Sequence, residues 1–134
     1  MGTGAELRES LAELRGLKLG NVEFGPFHVQ LKFTGEWNVS VQIDKAFQLQ
    51  TSSGSQTFDV AQKVGEGSGV LMRLIGREAR SLSYEPNSFT VSFDNGTSLV
   101  VPLGSDDFDP VQVYCAHHMS PRELAWGFTV NANM

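Results

Sequence analysis

The stretch in which a nucleophile, candidate bases and carboxylates gather is Tyr114-Cys115-Ala116-His117-His118, with Asp109 before it and Glu123 after it. Side chains two apart on a strand share a face, so Cys115 and His117 could form a thiol-imidazole pair or half of a metal site. Zinc takes three or four ligands, and the missing ones would have to come from distant carboxylates. The spacing therefore favours a buried strand-end cysteine beside the loop histidines His117 and His118. No catalytic residue, metal or cofactor is expected.

A second cluster, Gly104-Ser105-Asp106-Asp107-Phe108-Asp109, superficially resembles a calcium loop. It lacks the Asp-x-Asp-x-Asp-Gly spacing and the closing glutamate that such loops use. Asp109 precedes Pro110, a pair that starts turns. The loop is either simply solvated surface or, in its functional reading, a contact surface for a cationic partner. The ten Lys and Arg against fifteen Asp and Glu give a net charge of −5. No Lys or Arg stands between Arg80 and Arg122, whereas Glu85, Asp94, Asp106, Asp107 and Asp109 all do. Such a stretch repels phosphate backbones, so neither nucleic acid nor an anionic membrane is an expected partner, and a basic protein is.

The elements that must position these residues belong to one domain, 1–134. At 40% hydrophobic and 19% charged residues the chain has the composition of a folded domain, and no apolar run approaches the ~20 residues of a membrane span. The first residues show no basic region followed by an apolar stretch, so a cytoplasmic location is expected. A single cysteine excludes an intrachain disulfide framework.

Sliding the sequence against itself by sixty residues, without a gap, brings Leu11, Leu14, Gly16, Pro26 and Phe33 onto Leu71, Leu74, Gly76, Pro86 and Phe93. Val29, Leu31, Val39, Val41 and Ile43 fall on Phe89, Val91, Leu99, Val101 and Leu103. This predicts two copies of one unit, about 5–50 and 65–115, each a short helix, a strand and a β-hairpin. Gly16 and Gly76 are placed to end the helices, and the segments 51–55 and 65–69 bracket a flexible connection. In the second hairpin a two-residue turn would set Phe93 against a polar residue. The pattern instead requires a three-residue loop, Asp94-Asn95-Gly96, with Gly96 left-handed. Further strands are expected at 47–50, 111–115 and 124–130. The fold class is α+β, mainly antiparallel sheet, with the two copies packed as a barrel-like or two-layer core. The outward face of the second hairpin, with Ser88, Thr90, Ser92, Ser98, Val100 and Pro102, is uncharged; either the long loop 51–69 or the C-terminal segment covers it, or it meets a partner or a second copy in a homodimer.

The order Leu-x-x-Leu-x-Gly, strand, then a hairpin with Asp-x-Gly-Thr and a Leu-Val-Val-Pro ending, as in Leu71–Gly76 and Asp94–Pro102, resembles small uncharacterised bacterial proteins. Some of these look like immunity proteins of contact-dependent and polymorphic toxin systems. The resemblance spans about 11–126 and implies a non-catalytic binding protein that neutralises a toxin. The expectation is a protein-binding domain that meets a basic partner through Asp106, Asp107 and Asp109, with Tyr84, Tyr114 and Phe108 as aromatic anchors. The alternative is a small enzyme or ligand-binding barrel with a pocket between the copies near Cys115, His117 and His118.

Overall fold

The computed structural model describes residues 3–44, 46–59, 69–104, 110–120, 122, 124–132 and 134. Helix α1, Gly4–Ala12, starts where the Thr3 hydroxyl accepts the Glu6 N–H and ends at Glu13, before Gly16 turns left-handed at φ 63°. Its Leu7 and Leu11 are buried. Strands β1 (Leu17–Phe24), β2 (Val29–Thr34), β3 (Trp37–Ile43), β4 (Phe47–Thr51) and β5 (Gly54–Phe58) follow. After a helical turn over 69–72 come β6 (Glu78–Glu85), β7 (Ser88–Phe93), β8 (Ser98–Pro102), β9 (Val111–His117) and β10 (Ala125–Val130).

All ten strands form one antiparallel sheet in the order β10-β9-β3-β2-β1-β6-β7-β8-β4-β5. The last hairpin of the first half, β4–β5, pairs with β8 of the second, and the hairpin β9–β10 pairs with β3 of the first. Exchanging β1 with β6, β2 with β7, β3 with β8, β4 with β9 and β5 with β10 turns the order into its own reverse. At its centre Lys18 faces Glu78 and Leu17 faces Ala79, a ladder of only two pairs. Both central strands bulge, at Gly20 in β1 and at Arg80 in β6.

A barrel does not form: the order ends at β10 and β5, and these strands do not pair with each other. Each half's last hairpin is consumed in covering an edge of the other half, which leaves the two end strands at opposite extremes. The sheet nevertheless bends. Phe33 of β2 and Phe93 of β7 are three strand spacings apart, about 14 Å on a flat sheet, yet their rings stack at 6.2 Å. With one nine-residue helix and a helical turn as the only other regular cover among the described residues, the inner face buries itself. Val29, Leu31, Phe33, Val39, Val41 and Ile43 join Phe89, Val91, Phe93, Leu99 and Val101 in a single core.

The second hairpin has the expected loop. The Phe93 N–H donates to the Thr97 carbonyl, Gly96 sits at φ 83°, and the Thr97 N–H donates to Asn95 Oδ1. The first hairpin does not match the gapless offset. Val29 faces Ile43, whereas Phe89 faces Val101, so the register of the first hairpin is shifted by two residues from that of the second. The expected flexible segment 51–55 is instead the turn and start of the β4–β5 hairpin, with Gly54 at φ 135°. β5 carries no apolar alternation, since it is exposed on both faces over Gly54–Thr57.

Candidate protein-binding site

Charge on the sheet is confined to its middle. Among the strands, Asp, Glu, Lys and Arg occur only on β1 (Lys18, Glu23), β2 (Lys32) and β6 (Glu78, Arg80, Glu85), and Lys32 pairs with Glu23 at 2.7 Å. The two flanks, β3-β9-β10 and β7-β8-β4-β5, carry none. On the second flank the outward rows read Thr57-Gln48-Val100-Thr90-Ser83 and Ser55-Gln50-Ser98-Ser92-Ser81. On the first, the Gln30 amide donates to Ser40 Oγ at 2.8 Å, and Tyr114 stands between Ser40 and Gly127.

Of the residues expected to bind a partner, Tyr114 alone is on the surface among those described, 56% exposed. Its ring lies 3.5 Å from where a Gly127 Cβ would be, so it also covers the gap that this glycine leaves in β10. Tyr84 lies in the core. β6 directs it inward opposite Phe89, and its hydroxyl donates to the Asn131 carbonyl at 3.1 Å. The Arg8 guanidinium sits 5.4 Å from its ring centre and donates from Nε to its carbonyl. A Cβ at Gly4 would come within 3.0 Å of the same ring. Tyr84 is thus buried and held by Arg8, Gly4 and Asn131, in contrast to the exposed Tyr114. Asp106, Asp107, Phe108 and Asp109 lie outside the described residues. On either side of them, Leu103 is buried and the Asp44 N–H donates to the Pro110 carbonyl at 2.8 Å.

Cys115 and His117 do share the inner side of β9 but not a chemical environment. Cys115 is fully buried, and burial pushes its thiol up to about 12, far from a usable thiolate. His117 caps the end of the strand. Its Nδ1 accepts the Met119 N–H at 3.2 Å, which leaves the proton on Nε2, 3.5 Å from Glu36 Oε1. Its ring meets Trp37 edge-to-face at 5.2 Å, and the His118 N–H donates to the Glu36 carbonyl. These bonds tie β9 to the β2–β3 turn. Among the described residues no three His, Cys, Asp or Glu side chains are placed to hold a metal, and no helix is long and apolar enough to cross a membrane.

The expectation drawn from sequence passes over the aromatic corner that these strands build. Leu124, His117 and Trp37 stand at one end of the inner face, with Trp126 in the next row and Met119 78% exposed beside them. The alternation of Trp126, Phe128 and Val130 was the available signal. Comparison with protein-family models, with curated proteins and with solved structures finds no match for this chain.

Proposed function

We propose that this protein is a non-catalytic protein-binding domain whose partner is a basic protein, the role of a toxin-neutralising immunity protein. The observation that carries the reading is the partition of charge. The flanks of the sheet present uncharged, hydrogen-bonding side chains and Tyr114, while the acid-rich connection 103–111 supplies the field that steers a cationic partner onto them. Burial of Cys115 speaks against the alternative of a reactive pocket beside His117 and His118.

We further infer that the domain is two copies of one helix-and-five-strand unit that trade their last hairpins. The self-reversing strand order supports this, as do the bulges sixty residues apart and the Lys18–Glu78 pair, which faces its own counterpart at the centre. The test of the binding role is association kinetics at two ionic strengths, with a basic toxin domain as the partner. Replacing Asp106, Asp107 and Asp109 with Asn should slow association and flatten its salt dependence, with a smaller effect on dissociation. Unchanged rates and slopes would remove the acidic loop from the interface and leave the uncharged face of Thr90, Ser92 and Val100 as the contact.

A further inference from the structure

β10 is an end strand, and its free side has a definite composition. The His117 N–H donates to the Leu124 carbonyl at 2.8 Å, which makes 117 and 124 a hydrogen-bonded pair in the β9–β10 register. Antiparallel pairs alternate, so Trp126, Phe128 and Val130 direct their backbone groups to β9. The N–H and C=O groups of Ala125, Gly127 and Thr129 then point away from the sheet. No described strand takes them up. The usual protections of an edge are missing: Ala125–Val130 contains no charge and no proline, and its pairing with β9 has no bulge. Trp126 and Phe128 lie on the inner side, half-buried, with their rings 5.4 Å apart.

We propose that this edge binds a second copy of the chain, β10 against β10, antiparallel about a twofold axis at Gly127. That register places Gly127 opposite itself and Ala125 opposite Thr129 of the partner subunit, and satisfies all six free backbone groups. It also sets Trp126 opposite Phe128 of the partner subunit, twice by symmetry, so each half-covered ring gains an aromatic cross-strand neighbour. The outward side chains at the seam are small, and with no charge on the strand there is no repulsion across the axis. The other end strand, β5, offers no such match. Its inner side carries one aromatic ring, Phe58, already packed 5.5 Å from Phe47, and then an exposed Gln56 opposite Leu49, so pairing there would bring no aromatic pair across the seam. The inference is independent of the basic partner proposed above.

Sedimentation velocity over a concentration series tests it. The wild type should pass from 14.6 kDa to twice that mass. Gly127 does not have a positive φ, and a Cβ there meets Tyr114 at an ordinary 3.5 Å, so the position accepts a side chain. Gly127→Lys and Gly127→Asp should each weaken the dimer about tenfold or more by like charge across the axis, and an equimolar mixture of the two should restore it. A wild type that stays monomeric up to ~1 mM overturns the proposal. Full dimerisation of both single variants, or no rescue in the mixture, overturns it as well. Amide exchange on the wild type serves if the variants do not fold. The N–H groups of Ala125, Gly127 and Thr129 should be protected in the dimer, and rapid exchange there refutes the edge pairing.

Discussion

Cys115 makes the stability of this fold respond to alkaline pH in a way that can be calculated. The thiol is fully buried, and its removal from water raises its pKa from 9.0 to about 12. In the unfolded chain it ionises near 9.0, so above that pH the unfolded state alone gains by losing the proton. Stability is unaffected below pH 9, falls by about 1.4 kcal/mol per unit above it, and levels off near 12. At pH 10 the loss amounts to about 1.4 kcal/mol. Other groups titrate in this range, so the informative quantity is the difference between wild type and Cys115→Ala. At pH 7 the substitution should cost about 1 kcal/mol through lost packing. By pH 10 that cost should vanish or change sign. Urea unfolding followed by the fluorescence of Trp37 and Trp126, from pH 7 to 10, measures it through the shift in midpoint at constant slope. A difference that stays constant across that range would show that Cys115 is not desolvated in the native state.

Two further outcomes follow from the core and the turns. Leu31→Ala and Val91→Ala, each at 0% exposure, should destabilise by about 2–4 kcal/mol and somewhat less respectively, whereas Gln30→Ala, which loses only a half-buried hydrogen bond to Ser40, should cost about 1 kcal/mol in the same unfolding assay. Gly96→Ala forces a methyl-bearing residue to φ 83° and should cost about 1 kcal/mol or more, visible as a lowered melting temperature with unchanged circular dichroism.

Much of the inner face was legible in the sequence because alternation marks it directly. Val29, Leu31 and Phe33, and Phe89, Val91 and Phe93, are buried as their spacing requires. The loop at Asp94-Asn95-Gly96 was legible for a related reason, since a register wrong by one residue would turn an apolar strand to water. A register wrong by two residues leaves every side chain on its proper face, and for that reason the shifted pairing of β2 with β3 escaped the pattern. β5 was hidden because Gly54–Thr57 is exposed and held by backbone pairing with β4, which leaves Phe58 as its single apolar residue and no alternation to read. Strand order was beyond reach too. Nothing in the spacing of Val111, Val113 and Cys115 says that they will lie beside Val39, Val41 and Ile43 and not beside β8. The burial of Tyr84 was not legible because an aromatic residue suits a core and an interface equally, and only its bonds to Asn131 and Arg8 show where it lies.

The pairing of β3 with β9 and of β4 with β8 has a consequence during synthesis. β3 is complete at Ile43, but its neighbour begins at Val111, 68 positions later (111 − 43). At ~5–20 residues per second a ribosome needs roughly 3–14 s to supply it. Throughout that interval Trp37–Ile43 emerges with one open edge and no lysine or proline to blunt it. The first half also holds its β4–β5 hairpin ready for a β8 not yet made. A chain severed between 59 and 69 should therefore fold only when both pieces are mixed, because each holds the strand that completes an edge of the other.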